Sequence, residues 1–310
     1  IIKTKEKNYR IEIKSNSITN KLNKIIKNED KVFIIVDTKV NYIIKNLVNN
    51  KKIFIIKING SEKIKDFKYF HKISENLISK GINRNSCIIS IGGGSIGDLT
   101  GFIASTILRG VKFILFPTTL LSQVDSSIGG KNGINSKNGK NLIGTFYQPD
   151  QVIIDPKILY SLSKRELKSG YAEVLKHALI NDFSFFKFLE KNYSRVFSLE
   201  LKTLEQIIFK SISIKSKFVN NDTKELLINN NSRSILNFGH TFGHALETYY
   251  YYNNKFTHGE AISIGMTIAS KISYKLGYLN YDELKRIIRH FLDVGLPTKD
   301  KNMYKSQIFK

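Results

Sequence analysis

The feature that most constrains the fold is a change of pattern near residue 155. Before it, short β-branched runs alternate with helix-compatible segments, which is typical of a parallel sheet covered by helices. Beyond Lys164 strand signals nearly vanish, and long amphipathic stretches such as Leu199–Val219 and Ala261–Leu276 predict helices. We therefore expect an α/β domain over residues 1–155 and an all-α domain over residues 156–310. The predicted strands are Tyr9–Ile13, Val32–Val36, Ile53–Ile58, Cys87–Ile91, Phe113–Pro117 and Val152–Asp155, and a loop is predicted over Asn220–Ser232.

The net charge of +23 on 310 residues raises the question of nucleic-acid binding. The lysines are spread almost evenly, and the sequence has no arginine-rich block, zinc-finger spacing or aromatic ribonucleoprotein signature. Abundant Lys, Ile and Asn are what A/T-rich codons would produce. We therefore expect no dedicated nucleic-acid partner, since charge alone bears on solubility and non-specific association.

Cysteine usage and hydropathy bear on the compartment. The single cysteine, Cys87, lies in an apolar run and is predicted to be a buried strand residue in a reducing compartment. No apolar run approaches the roughly 18 residues of a membrane span, and the first residues lack a secretory signal. A cytosolic or organelle-interior enzyme fits these features, and we expect a cytoplasmic enzyme without a membrane partner. Because the chain starts without Met and stops at Lys310 in a polar stretch, we also expect one or both ends to be incomplete.

A glycine-rich segment, Gly92-Gly93-Gly94-Ser95-Ile96-Gly97-Asp98, follows a predicted strand and precedes a helical pattern from Leu99 to Arg109. Strand, glycine turn and helix start together favour a phosphate cradle, because backbone amides can approach a pyrophosphate there. A tight turn of purely structural use would look similar. Asp37 ends another strand, where a carboxylate can hold a ribose hydroxyl or cap the next helix.

The second half carries a candidate metal site in Glu173, His240, His244 and His258. Two imidazoles and a carboxylate with one open position are what a catalytic zinc site needs. His240 and His244 are four residues apart and project from one helical face, but the spacing does not say which of them is the ligand. Each histidine alone could be an ordinary satisfied polar side chain; three of the six histidines gathered among glycines favour the metal interpretation.

Between these features lie two polar segments, Pro117–Lys131 and Gly139–Gly144. They hold more lysine, asparagine and hydroxyl groups between glycines than a structural loop requires. Such groups suit an anionic, hydroxylated ligand, because each ammonium supplies a point charge and three donors.

On these residues the chain resembles the 3-dehydroquinate synthase family, the sugar phosphate cyclases of the shikimate pathway. The matching segments are Asp37, Gly92–Asp98, Arg109-Gly110, Pro117–Lys131, Gly139–Asn141, Gly170–Lys176, Leu236–His244 and His258-Gly259-Glu260. The resemblance implies a dinucleotide-binding α/β domain followed by an all-α metal- and substrate-binding domain, usually in a homodimer. It further implies a carbon–oxygen lyase that converts 3-deoxy-D-arabino-heptulosonate 7-phosphate to 3-dehydroquinate and phosphate. The expected steps are transient NAD-dependent oxidation, phosphate elimination, ketone reduction, ring opening and intramolecular aldol closure.

The resemblance also implies roles for single residues. Zn²⁺, or Co²⁺ in its place, would be held by Glu173, His240 and His258, while His244 would serve substrate phosphate and proton handling. NAD contacts would fall on Asp37, Glu62, Lys65, Gly93, Gly94, Ser95, Ile96, Gly97, Asp98, Thr118, Thr119, Lys131, Lys140, Asn141, Ile158, Leu159, Tyr160 and Ser161. Contacts to the anionic sugar-acid phosphate would fall on Asp125, Lys131, Asn141, Lys176, Lys215, Arg233, Asn237 and His244, with Arg109 reaching across the dimer.

The chain departs from the family pattern in four places. Ser163 stands where Pro is common, the motif around Glu62 and Lys65 has one extra residue, and Asp222 to Arg233 is longer than usual. The family's C-terminal lysine motif would lie beyond Lys310. Two other enzyme classes stay open at this point, a related sugar phosphate cyclase and a metal-dependent polyol dehydrogenase of the same fold.

Overall fold

A computed structural model describes residues 1–4, 6–47, 50–250 and 255–302. A parallel sheet of six strands forms the first part of the molecule. Every end of the six predicted strands is confirmed to within one residue. The strands are β1 (Arg10–Ile13), β2 (Val32–Asp37), β3 (Ile53–Ile58), β4 (Cys87–Gly92), β5 (Lys112–Pro117), β6 (Lys131–Ser136), β7 (Gly139–Phe146) and β8 (Gln151–Ile154). The six-stranded sheet has the order β1-β8-β5-β4-β2-β3, and β6 and β7 form a separate pair.

The central strands are buried on both faces. Every residue of β2 and β4 is buried, Cys87 among them, because helices cover the sheet. The sequence of a strand enclosed in this way is a continuous run of apolar residues rather than an alternation of apolar and polar residues, which is why these strands could be predicted. The helices of this region are α1 (Ile18–Asn28), α2 (Phe67–Ser79) and α3 (Gly94–Thr106).

The strand order places a crevice at one edge of the sheet. Chain connections run outward from β2 to β3 on one side and from β4 to β5 on the other, so the order switches between β2 and β4. The carboxyl ends of these strands bring Asp37, Gly92 and Pro117 to the same edge, with Gly92 and Pro117 in register. Ligands of open α/β sheets bind at such a switch point.

The antiparallel hairpin of β6 and β7 was not predicted. Its strands are rich in glycine, asparagine and lysine, and residues of this kind are depleted in strands. Gly133 and Gly144 face each other, and a side chain on either would overlap the opposite backbone. The hairpin packs on α3 and so brings the polar segments beside the crevice.

The second part of the described chain is helical, and no strand follows Ile154 within residues 155–250 and 255–302. The predicted helices at 199–219 and 261–276 are confirmed. The loop predicted at 220–232 begins two residues later, because the first of these helices continues to Asn221, and residues 222–232 are non-helical. The division at residue 155 stays a prediction, and the expected truncation at Lys310 lies outside the described residues. The helices are α4 (Lys164–Asn181), α5 (Phe183–Phe197), α6 (Leu201–Asn221), α7 (His240–Tyr249), α8 (His258–Lys275) and α9 (Tyr281–Asp293). Across the described ranges, no helix combines the length and apolarity needed to cross a bilayer.

Glycines let α4, α7 and α8 approach closely. Gly239, at a φ of 79° before α7, lies against Met266, and a side chain at Gly265 would overlap the Gly239 carbonyl. Gly259, in the first turn of α8, has no room for a side chain beside the backbone of Ser169 in α4. These contacts bring the first residues of α7 and α8 next to the middle of α4.

Candidate metal and cofactor site

Three side chains meet where α4, α7 and α8 converge. Glu173 comes from the middle of α4, and His240 and His258 are the first residues of α7 and α8. Nε2 of His258 lies 3.5 Å from Oε1 of Glu173, and Nε2 of His240 lies 3.8 Å from the same oxygen. All three ligand atoms fall within 4.8 Å of one another. The geometry therefore brings together the three predicted metal ligands; their role as ligands stays a prediction.

The surroundings of Glu173 fit a cation. The carboxylate is completely buried, and neither oxygen accepts a hydrogen bond of regular geometry from the described residues. Burial opposes its ionisation, but the paired Lys176 ammonium and the neighbouring histidines hold the pKa of Glu173 well below its usual range. A buried, ionised carboxylate beside two imidazole nitrogens is the donor set that Zn²⁺ or Co²⁺ prefers.

The two histidines of this set differ in how readily they bind a proton. Burial, together with the positive charge of Lys176, lowers the pKa of His240 to about 3, so its ring is neutral. Burial also disfavours a charge on His258, but the nearby carboxylates of Glu173 and Glu247 raise the pKa of His258 to about 10. Metal ligation requires the neutral ring, so binding a cation would displace this proton.

His244 lies one turn beyond His240 on α7. Its ring centre is 5.1 Å from that of His240 and 6.0 Å from that of His258. His244, Glu247 and His258 form a second group of candidate ligands that shares His258 with the first. Because His244 is exposed whereas Glu173 and His240 are buried, the geometry favours the first group.

A cluster of charges lies beside the metal ligands. Asp125 Oδ1 is 2.7 Å from Nζ of Lys215 and 3.8 Å from Nζ of Lys176, which also pairs with Glu173. Burial opposes the charge of Asp125, but both lysines hold its pKa well below its usual range. Burial lowers the pKa of Lys215 to about 8 in spite of Asp125, with Arg233 and Lys176 acting in the same direction as burial. The structure thus joins Asp125, Lys176 and Lys215, three of the predicted substrate residues.

His177 was not predicted to belong to the site. It is fully buried, its Nε2 lies 3.7 Å from Oδ1 of Asp125, and neither ring nitrogen has a hydrogen-bond partner of regular geometry among the described residues. Burial lowers its pKa. Glu173, Lys176 and His177 share one face of a helix, and this spacing could have pointed to it.

Glu225 is a further residue of the site that the sequence did not predict. It forms an ion pair with Lys131, and its Oε1 accepts a hydrogen bond of 2.7 Å from Nδ2 of Asn237. Lys131 and Asn237 are both predicted substrate residues, and Glu225 holds them side by side. Its sequence position, inside a segment longer than the family pattern, offered little signal.

Arg233 is buried, and its Nη1 donates to the carbonyl of Gly129 at 2.9 Å and to that of Thr223 at 2.7 Å. These bonds fasten the segment after α6 to the segment before β6. The predicted substrate contact of Arg233 therefore involves a guanidinium that also braces two backbone segments.

Five predicted cofactor residues form one network at the crevice. Nζ of Lys65 lies 2.7 Å from Oδ2 of Asp98 and 3.9 Å from Oε1 of Glu62, and it also contacts Oδ1 of Asn141. Ser95 donates to Glu62 at 3.3 Å. The extra residue in the Glu62 motif therefore leaves Glu62 and Lys65 beside the glycine loop.

The glycine loop forms the start of α3. Gly93 is the N-cap, and no side chain of the described residues caps this end. A Cβ at Gly94 would lie 2.9 Å from Oγ of Ser126, and one at Gly93 would lie 3.1 Å from Cγ2 of Thr119. The Thr118 amide donates to the Gly92 carbonyl at 2.9 Å, which ties β5 to the loop. Open amides at a helix start in a cradle that side chains would fill suit a pyrophosphate.

Asp37 makes the contacts of a cap, and its predicted contact with a ribose stays a prediction. Its Oδ1 accepts from the amide of Lys39 at 3.0 Å, as in a cap, and from the amide of Gly60 at 3.3 Å. The carboxylate lies at the switch point, where a ribose would be held.

Other predicted residues lie apart from these clusters. Arg109 is exposed in a turn where Leu108 and Arg109 both have left-handed backbone, at φ of 49° and 65°. Ile158 and Leu159 belong to the hydrophobic core, whereas Tyr160 is exposed. A cofactor contact in this segment would fall to the backbone, Tyr160 or Ser161.

Comparison with known proteins bears on the whole chain. The family model described as the N-terminal domain of 3-dehydroquinate synthase matches residues 55–169, and the model of its C-terminal domain matches residues 170–310. The chain belongs to the 3-dehydroquinate synthase family. The 3-dehydroquinate synthase of Pelagibacter ubique (strain HTCC1062) is 45% identical over 314 residues, covering 98% of this chain and 83% of that protein.

Solved structures support the same fold. A 2-deoxy-scyllo-inosose synthase complexed with carbaglucose-6-phosphate, NAD⁺ and Co²⁺ is 28% identical with a TM-score of 0.84, covering 99% of this chain and 84% of that one. The 2-epi-5-epi-valiolone synthase from Streptomyces hygroscopicus subsp. jinggangensis 5008, with NAD⁺ and Zn²⁺ bound, is 23% identical with a TM-score of 0.88, covering 100% and 88%. The predicted fold class is confirmed.

Proposed function

We propose that this chain catalyses the 3-dehydroquinate synthase reaction as an NAD- and divalent-metal-dependent carbon–oxygen lyase. The substrate is 3-deoxy-D-arabino-heptulosonate 7-phosphate, and the products are 3-dehydroquinate and phosphate. Membership of the family supports the reaction, and the grouping of the metal ligands beside the Asp125 cluster supports the site.

The observation that carries the proposal is the charge balance of the buried cluster. Asp125 and Glu173 face Lys176 and Lys215, so these four side chains cancel in charge. A divalent cation on Glu173, His240 and His258 would leave two positive charges in a site with few solvent contacts. Such a site favours a ligand with both a carboxylate and a phosphate, since buried charges must be paired.

The chain's own residues bind and orient this substrate. Lys176 and Lys215 supply ammonium donors from α4 and α6, and Asp125 fixes both in place. Lys131 and Asn237 both contact Glu225, so their side chains lie close together, where they can donate hydrogen bonds to an oxyanion of the substrate. Desolvation by the surrounding protein and the neighbouring cations His258 and Lys140 lower the pKa of His244, although its side chain keeps an exposed surface, so its neutral ring can accept a proton at a ring nitrogen. Holding one flexible molecule in this array supplies much of the catalysis through orientation.

The cofactor groups fit the residues described above. When bound, NAD supplies a reversible hydride acceptor and the divalent metal supplies Lewis acidity. Gly93, Gly94 and Ser95 would hold the pyrophosphate, and Asp37 the ribose. Lys65, braced by Asp98, would keep the hairpin residue Asn141 at the crevice.

We also propose that the enzyme works as a homodimer in which Arg109 reaches the site of the partner subunit. Two successive left-handed residues at Leu108 and Arg109 cost about 1–3 kcal/mol each, and such strain persists where a side chain must be presented. Mixing inactive R109A and K176A subunits should restore activity if Arg109 acts across the dimer, whereas an unchanged mixture would exclude this. The expected cytoplasmic location follows from the proposed reaction and stays a prediction.

The function is tested by following two products at once. The purified chain, loaded with Zn²⁺ or Co²⁺ and NAD, should release phosphate from 3-deoxy-D-arabino-heptulosonate 7-phosphate while no stoichiometric NADH accumulates, because the same cofactor is oxidised again within each turnover. K176A should lose phosphate release, and the exposed variant E75Q is the matched control.

The alternatives give different results in the same assay. One equivalent of NADH for each substrate consumed would identify a polyol dehydrogenase, an enzyme with little use for the cations Lys131, Lys176 and Lys215 around its substrate. Phosphate release from a different sugar phosphate, with none from the seven-carbon acid, would identify a related cyclase. DNA binding with a steep salt dependence would indicate a nucleic-acid role instead.

A further inference from the structure

We propose that Glu247 is a positioning residue of the metal centre: it fixes the imidazole of His258 for metal binding and, through Lys140, joins that centre to the β6–β7 hairpin. The inference rests on the proposed function, because it deepens the metal site proposed there. Neither the sequence patterns nor the family resemblance singled out Glu247.

The position of Glu247 on α7 explains its access to the site. His240, His244 and Glu247 are spaced at i, i+4 and i+7, so all three lie along one face of the helix. Glu247 is 8% exposed, although glutamate is almost never buried unless it is paired. A buried acid on the ligand face of a metal-binding helix therefore needs partners, and the structure provides two.

The first partner is His258. Its Nε2 points to Glu173, at 3.5 Å from Oε1, whereas its Nδ1 points to Glu247, at 3.4 Å from Oε2. One ring nitrogen thus faces the proposed metal position and the other faces a carboxylate. An N–H donated from Nδ1 to this carboxylate leaves the lone pair of Nε2 for a metal and makes the imidazole a stronger ligand.

His240 offers an internal comparison. Its Nδ1 lies 3.3 Å from the carbonyl oxygen of Phe238, so a neutral backbone group anchors this ring. The two proposed imidazole ligands are therefore oriented by different groups, a carbonyl for His240 and a carboxylate for His258. Only the anchor of His258 can be changed by substituting a side chain.

The second partner is Lys140, whose Nζ lies 3.1 Å from Oε1 of Glu247. Lys140 belongs to β7 and is among the predicted NAD residues. One carboxylate oxygen of Glu247 thus contacts His258, next to the proposed metal position, and the other contacts Lys140, next to the proposed cofactor position. Binding at either side that moves this carboxylate must change affinity at the other, because such coupling is reciprocal.

A competing role for Glu247 is direct ligation, since His244, Glu247 and His258 also form a candidate metal group. Direct ligation would place the metal on the exposed side of His258 and leave Glu173 out. Co²⁺ distinguishes the two roles, because its visible absorption changes when a ligand is lost and much less when a group behind a ligand is changed.

The experiment compares wild type with E247A, E247Q and K140M, and with the exposed control E75Q. Zn²⁺ affinity is measured by competition with a chelator, without NAD and with saturating NAD, and circular dichroism verifies that each metal-free variant is folded. We expect E247A to bind Zn²⁺ about 10- to 100-fold more weakly than wild type. E247Q, which keeps an oxygen acceptor, should lose less, and E75Q should match wild type. K140M should reduce the effect of NAD on Zn²⁺ affinity.

Each outcome decides the proposal. Zn²⁺ affinity unchanged in folded E247A, while wild type binds metal, would overturn this inference and leave the proposed function standing. A Co²⁺ spectrum of E247Q with the changes of a lost ligand would replace positioning by direct ligation. Weakened affinity with a preserved Co²⁺ spectrum supports positioning. Wild type that binds no metal would overturn the proposed function itself, and the positioning role with it.

Discussion

Strand β4 and helix α4 are both buried elements, but they bury different chemistry. Five of the six residues of β4 are apolar or glycine, Ser90 being the exception, and every one is buried. Helix α4 also buries most of its central residues, yet among them are Glu173, Lys176 and His177. The strand stabilises the fold by removing apolar surface from water, at about 25 cal/mol per Å². Helix α4 also buries charged side chains, and removing these charges from water costs free energy that the rest of the fold must offset.

The difference shows how the two halves build their sites. At the carboxyl end of β4 the site is made of backbone, since Gly93 and Gly94 leave amides open where side chains would intrude. On α4 the site is made of side chains, which need partners on α6, α7 and α8. A buried ionised network with perturbed pKa values is costly as structure, so its presence indicates function. The cofactor half should therefore be sensitive to added volume, and the metal half to lost charge or lost ligands.

The largest effect should come from removing a ligand in the helical half. H240A should lose stoichiometric Zn²⁺ and about a thousand-fold in turnover, because a Lewis acid contributes several kcal/mol to the barrier. H244A is the matched variant one turn away, and it should keep its metal while losing activity through substrate handling. Metal analysis of both proteins, with phosphate release, measures this. Metal retained in H240A and lost in H244A would reverse the assignment and favour the second group of ligands.

How far the fold could be predicted from the sequence follows from the same contrast. The strands of the sheet are enclosed on both faces, so runs such as Val32–Val36 and Cys87–Ile91 carried an unambiguous signal. The sequence of the β6–β7 hairpin carried no such signal, because its strands are polar and rich in glycine and the hairpin depends on packing against α3. Helices α6 and α8 were visible from their amphipathic periodicity.

For the candidate site, the sequence indicated residue types more readily than partners. Glu173, His240 and His258 stood out because histidines clustered among glycines and matched a family pattern. Glu225 and Glu247 did not, since a glutamate in a loop or on a helix is ordinary until its neighbours are known. Their proposed roles rest on distances to Lys131 and His258, which are set by chain segments far apart in the sequence.

An intermediate effect is expected from added volume in the cofactor half. G94V should weaken NAD binding at least about tenfold, equivalent to about 1.4 kcal/mol, because the new side chain fills the cradle at the start of α3. G94A gives a graded comparison, since its Cβ would lie 2.9 Å from Oγ of Ser126. Fluorescence titration with NAD measures both variants.

A second substitution separates two causes of that loss. S126A removes the hydroxyl that crowds Gly94 on the protein side. If the pyrophosphate approaches Gly94 from the crevice, G94A/S126A should bind NAD no better than G94A. Full recovery in the double variant would mean that the defect was only a packing clash, and the pyrophosphate would have to bind elsewhere.

The smallest effect concerns pH and the charged cluster of the helical half. Burial lowers the pKa of Lys215 to about 8, so its ammonium is present below that pH and is lost above it. An anionic substrate prefers the charged form, and binding therefore raises the pKa of Lys215 and takes up a proton between about pH 7 and pH 9. Affinity should fall by up to about tenfold over this range, because only the charged fraction binds well. K215R keeps its charge, so its affinity for the substrate should change little with pH even if it is weaker overall.

Calorimetry in buffers of different ionisation enthalpy measures the proton uptake directly. Equal uptake in wild type and K215R would assign the titration to another group and would mean that the charge of Lys215 is held constant by Asp125.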